Sequence, residues 1–269
     1  MRLRFVYPII LIIAGACTTV QTTMPGAIGV ERQQSFLVSA EDVEQAAAQS
    51  YQQLVAAGGE KGAINVNRSQ YDRVKSIADR LIEQTSVFRP DARQWSWEVN
   101  VLADDSVNAA CMAGGKIIVF TGLLEKLNLT DAELAAVLGH EIAHALREHS
   151  REKVSNTYAQ QLVIAGIGAA AGVGQGGLRL ASVISEVTFG LPNSRQMETE
   201  ADHIGLELMA RAGYDPNAAV SFFEKLAREG GSGGPSFLST HPQSADRAAD
   251  LRANIARVMP LYQAASSRG

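Results

Sequence analysis

Apolar residues at helical spacing dominate this chain, and short extended runs interrupt them only once. Ser39, followed by Glu41 and Asp42, predicts a capped helix from about 40 to 56 that stops at Gly58-Gly59. A second helix is expected over 68 to 86, with Val74, Ile77, Ala78, Leu81 and Ile82 on one face and Pro90 closing the unit. The period then changes. Trp95 to Val101 alternates like a half-buried strand, and Asn108 to Met112 and Lys116 to Phe120 are two further extended runs. Asp104-Asp105 and Gly114-Gly115 separate them as turns. Thr130 with Glu133 has the pattern of a capping box and predicts a helix from 131 to about 149 or beyond. Later helices are expected over 194 to 212, after Asp215-Pro216, and after Pro242. Residues 162 to 175 are apolar but rich in Gly and Ala, too short and broken for a membrane span. The expected class is α+β, mostly helical with a small antiparallel sheet.

The first residues follow none of these patterns. Met1-Arg-Leu-Arg4 precedes a mostly apolar run to Ala14, and small residues lead to Cys17. A basic start, a short apolar region and small residues read as an export signal. The pattern resembles a bacterial lipoprotein signal, in which Cys17 becomes the lipidated first residue. Thr18 in place of Asp resembles the outer-membrane sorting class. Residues 18 to 37 read as a polar tether punctuated by Gly and Pro.

Composition narrows the function. The chain has 269 residues and a formal net charge of -4, so it lacks the basic surplus of a nucleic-acid binder, and none is expected as a partner. It has two cysteines. With lipid on Cys17, Cys111 is alone and no intrachain disulfide forms, so the fold depends on its core or a metal. Cys111 lies in an apolar run and reads as a buried small hydrophobe.

The chemistry concentrates at His140-Glu141-Ile142-Ala143-His144. Helix geometry separates the two histidines by about one turn, so both imidazoles converge on one ion, and each can give a neutral nitrogen to zinc. Glu141 is the expected base for a water activated there. His149 lies nine residues past His140 and points to the far side of an ideal helix. Glu148 is expected to face solvent. A third ligand is expected from Ser194 to Asp202, where Glu198 and Asp202 share one helical face and Arg195 lies one turn earlier. Glu200 and His203 fall away from the Glu198 direction. No Gly-x-Ser-x-Gly elbow is present, which disfavours a serine hydrolase.

These two segments, in this order and spacing, resemble the M48 family of zinc metallopeptidases, in particular its exported, lipoprotein-like bacterial branch. The similarity covers roughly residues 95 to 258. It implies a zincin-like domain with one zinc held by His140, His144 and Glu198, and Glu141 as the catalytic base. Asp202 would orient a ligand histidine, and Arg195 would pair with an acid near the site. Asn108 to Leu124 resembles family segments that place an edge strand beside the cleft, with Gly115, Lys116, Ile117 and Ile118 as the expected substrate strand. Ser239 to Arg247 also matches. His241 there either holds a structural place, approaches the reacting oxyanion, or occupies the open zinc position in a resting state. Arg247 would anchor the segment or contact an acid in the cleft.

The organisation expected is a signal at 1–16, a tether at 17–38, a helical scaffold at 39–90, the peptidase core at 91–262 and a polar tail at 263–269. The resemblance and the export signal together imply a zinc endopeptidase lipid-anchored on the periplasmic face of a bacterial outer membrane. Its polypeptide substrates would be misfolded or unassembled periplasmic or outer-membrane proteins, near the outer-membrane assembly machinery. The alternative is a membrane-attached chaperone or assembly factor with weak proteolysis.

Overall fold

The computed structural model describes residues 18–165, 177–229, 236–242 and 245–267. The export signal, Cys17, most of the apolar stretch at 162–175 and the Gly-rich run at 230–234 lie outside the described residues.

The sheet is small. Strands β3 (Glu98–Leu102), β4 (Ala109–Met112) and β5 (Lys116–Phe120) lie in the order β3-β5-β4. The β4–β5 pair is antiparallel, as expected, but β3 joins β5 in parallel, so the sheet is mixed. Ile117 and Val119 face one apolar cluster, and Ile118 and Phe120 face another. Successive residues point to opposite faces, and both faces are covered. That is why β5 reads as an unbroken apolar run.

Helices cover the two faces. On one side lie α1 (Ala40–Glu60) and α6 (Gly177–Phe189), packed on Ala110, Met112, Ile118 and Phe120. The side chain of Ser39 caps α1 as expected, although the helix runs through Gly58-Gly59. On the other side lie α2 (Arg68–Ile82), α4 (Asp131–Leu146), α7 (Arg195–Arg211), α8 (Asn217–Glu229) and α10 (Ala245–Ser266). Short α3 (Thr121–Leu127) and α9 (Ser236–Thr240) and the longer α5 (His149–Ala165) complete the helices among the described residues. None of these is long and apolar enough to cross a membrane.

α4 is the central element. Thr130 and Glu133 satisfy each other's backbone in the expected capping box, and every residue from Glu133 to Leu146 is buried. It crosses α7 at two glycines. A Cβ on Gly205 would lie 2.8 Å from the backbone nitrogen of His140, closer than atoms can pack. The helix bearing Glu198 and Asp202 can therefore lie directly on the helix bearing His140.

Residues 18–37 do not form a free tether. Strands β1 (Thr18–Val20) and β2 (Gln34–Phe36) pair antiparallel, and the segment docks on the helical core. The Ala27 N–H donates to Glu207 Oε2 at 2.6 Å. Gly26, at φ 66°, lies where a Cβ would meet Glu207 and Phe88 at 2.5 Å.

Candidate metal centre and catalytic cleft

His140 and His144 leave the same face of α4, and their Nε2 atoms lie 3.0 Å apart. α7, capped by the Ser194 hydroxyl, brings up Glu198, whose Oε1 is 3.3 Å from His144 Nε2 and whose Oε2 is 3.5 Å from His140 Nε2. The turn after α9 supplies His241. Its backbone N–H donates to the Phe237 carbonyl and its ring stacks on Phe237 at 4.3 Å. His241 Nδ1 lies 3.2 Å from His140 Nε2 and 3.0 Å from Glu198 Oε1. All four donor groups are buried.

These residues fit a metal ion. A tetrahedral ion with bonds of ~2.0–2.1 Å has its ligand atoms about 3.3 Å apart, and the contacts just given span 3.0–3.5 Å. Three imidazoles and one carboxylate are also the donor chemistry zinc takes. Glu141 Oε1 is buried with no hydrogen-bond partner, whereas Glu198 Oε2 is ion-paired with Arg247 Nη1 at 2.7 Å. A buried polar atom left without a partner marks a place for a further polar group.

The electrostatics agree. Burial would raise the Glu198 carboxyl, but the charge of His241 and hydrogen bonds from His140 and His144 hold it well below the usual range. It is an anion. Burial drives the His144 imidazole well below its ordinary value, so it is neutral and free to donate a lone pair. Burial opposes a proton on His140, yet Asp202 and Glu198 push that imidazole up to about 10. Two buried carboxylates thus call for positive charge at this point. Glu141 goes the other way. Burial raises it, only partly offset by His241 and His140, which suits a group that must accept a proton.

Around the donors, Asp202 Oδ1 takes His140 Nδ1 at 3.0 Å, as expected of a carboxylate that orients a ligand. Arg247 holds Asp202 with Nε at 2.7 Å and Nη2 at 2.8 Å and also binds the Pro242 carbonyl, so it anchors the His241 turn and contacts both acids. Cys111 is buried, and burial pushes its thiol well up, as an inert side chain requires.

Four expectations change. Arg195 is exposed, and among the described residues no acid pairs with it; Arg247 fills that place from another helix. Lys116, Ile117 and Ile118 belong to the central strand, paired on both sides, so they cannot accept another strand; β4 is the edge beside α4. Glu148 is not solvent-facing but bridges Arg89 and Arg151. His149 and Glu200, set aside by helix phase, do reach the site. His149 Nδ1 lies 2.8 Å from His144 Nδ1, and His149 Nε2 lies 3.2 Å from Glu200 Oε2. Helix phase does not carry across this stretch, because α4 ends at Leu146, Glu148 takes φ 51°, and a new helix starts at His149. No glycine marks that break.

Comparison with known proteins places the chain among peptidases. The model of peptidase family M48 matches residues 68–255. The mitochondrial metalloendopeptidase OMA1 of Arabidopsis thaliana is 42% identical over 164 residues, covering 60% of this chain and 32% of that protein. The metalloprotease YcaL of Escherichia coli is 34% identical over 159 residues, 58% of this chain and 61% of that protein. The beta-barrel assembly-enhancing protease of Yersinia pestis is 28% identical over 206 residues, 72% of this chain and 40% of that protein. The alignment thus spans between 32% and 44% of the length of the mitochondrial relatives from Arabidopsis and Schizosaccharomyces pombe.

Proposed function

Because the chain belongs to peptidase family M48, we propose that it is a zinc-dependent endopeptidase. The observation that carries this reading is the set of donor atoms at tetrahedral spacing with the Glu141 carboxylate beside it. His140, His144 and Glu198 are the residues that would hold one zinc ion per chain, which supplies Lewis acidity to the scissile carbonyl and the attacking water. Glu141 takes the proton from that water and returns it to the leaving amine. Asp202 keeps the His140 lone pair aimed at the cluster. The extended substrate lies along β4, the edge strand packed beside α4, whose backbone offers pairing groups.

The substrates we assign are misfolded or unassembled proteins on the periplasmic side of a bacterial outer membrane, with lipid on Cys17 as anchor. The export-type first residues support this, as does the similarity to the beta-barrel assembly-enhancing protease of Yersinia pestis. The presence of His241 among the donors favours a low resting activity, the condition under which an assembly-factor role with weak proteolysis would operate.

The direct test is cleavage of an unfolded protein by wild type and by Glu141→Gln at measured zinc content. Glu141→Gln should keep its zinc and lose at least about a hundredfold in kcat. Equal cleavage by the two would remove Glu141 from the mechanism.

A further inference from the structure

Behind His144, away from the cleft, lies a second concentration of buried charge. Glu200 on α7 is its centre. Arg147, fully buried at the end of α4, binds Glu200 Oε2 through Nε at 2.9 Å and Nη2 at 2.8 Å. The other cation comes from the docked amino-terminal segment. Arg32 donates Nε to Glu200 Oε1 and Nη2 to Oε2, and it forks onto Glu152 of α5 with Nη1 at 2.5 Å and Nη2 at 2.8 Å. Gln34, from the same segment, binds the Arg147 carbonyl and Glu152, both at 2.7 Å. Two guanidiniums, from Arg32 and Arg147, grip the Glu200 carboxylate at both oxygens. It is a fixed anion.

That anion sets the tautomers of two rings in series. Glu200 accepts from His149, so His149 carries its proton on Nε2 and presents a bare Nδ1. That Nδ1 can only accept, so His144 carries its proton on Nδ1. The His144 Nε2 lone pair is then left facing His140 and Glu198. His140 has its own orienting carboxylate in Asp202; His144 reaches one only through His149.

We propose that Arg32 is a positioning residue for His144, acting through Glu200 and His149, so that the amino-terminal segment is a working part of the metal centre. The proposal rests on the metallopeptidase reading. Arg32 holds Glu200 Oε1, the oxygen Arg147 does not touch. Without it the carboxylate is held by Arg147 at Oε2 alone and can swing about that oxygen, so the direction in which Oε2 accepts from His149 is no longer fixed, nor is the tautomer that His149 selects on His144. Arg32 lies outside residues 68–255, the part matched by the family, so this support is added to the peptidase core from elsewhere in the chain.

The test uses the full chain and zinc competition against a chromophoric chelator, with the visible spectrum of the cobalt-substituted protein as a second readout and thermal melting of the metal-free protein as a third. Arg32→Ala should weaken zinc binding by about ten- to a hundredfold and alter the cobalt spectrum. Lys225→Ala is the control, since Lys225 binds the buried Glu133 carboxylate and the Asn128 carbonyl at the other end of α4, far from Glu200. It should lower melting and leave the spectrum intact. Should Arg32→Ala not fold, Arg32→Lys decides the matter: one ammonium, with three donors on a single nitrogen, cannot replace the four bonds by which the guanidinium forks onto Glu152 and Glu200, and binding should weaken to an intermediate degree. Wild-type zinc affinity and an unchanged cobalt spectrum in the Arg32 variants would overturn the proposal while leaving the peptidase reading intact. A wild-type protein that takes up no zinc would overturn both.

Discussion

His241 fills two positions at once. Its Nδ1 stands within the donor cluster, and its Nε2 lies 3.3 Å from Glu141 Oε1. A substrate carbonyl and a water need that same volume, so the imidazole must leave before they can share it. His241→Ala should therefore raise cleavage at matched zinc occupancy, by roughly tenfold if the closed arrangement is favoured by about 1.4 kcal/mol. A fall of about a hundredfold would instead make His241 a donor to the reacting oxyanion. The donor residues on α4 and α7 were legible because helical period alone brings i and i+4 together, as for His140 with His144 and Glu198 with Asp202. His149 and Glu200 were not. Their contact depends on the left-handed Glu148, a residue type that gives no local signal for that conformation. Arg247 was readable from its own segment, but the exposure of Arg195 was not, since it depends on which face of α7 is left open.

The crossing of α4 and α7 turns two sequence motifs into one site. Gly205→Ala would push a methyl group into the backbone at Gly139 and His140, and the helices can yield only by separating. The expected cost is about 1–3 kcal/mol of stability, with weaker zinc binding than in an equally destabilised variant elsewhere. Melting and metal affinity measured together check this; a normal affinity would show that the donors tolerate a wider crossing. Elements with their own terminal chemistry were readable, as the Ser39 cap and the Thr130–Glu133 box show. Sheet order was not. The run from Lys116 to Phe120 announces a strand, but nothing local says that β3 comes alongside in parallel and leaves β4 as the edge. The unbroken burial of β5 is the one clue in its composition, because an edge strand rarely has both faces so apolar.

The molecule as a whole is a helical body to which its own amino-terminal segment is fastened. The polar composition of residues 18–37, punctuated by Gly and Pro, suggested slack, but polar side chains also suit a segment that inserts into a buried charge network, as Arg32 and Gln34 do. Composition cannot separate the two cases, since the partners lie more than a hundred residues away. Upstream, the expectation is lipid at Cys17. Mass spectrometry of the mature protein should find an acylated cysteine as its first residue, and fractionation should recover the protein with membranes. An unmodified terminus at another residue would refute the anchor.

Strand β1 begins at Thr18, the residue after that cysteine. One extended residue spans at most ~3.6 Å. A lipid at Cys17 would thus meet a folded surface almost at once, with no length of free chain to pay out. Such an enzyme has no foraging radius. It would slide along its bilayer like a plane on a board, and would reach only those polypeptides that come within about a molecular diameter of the membrane.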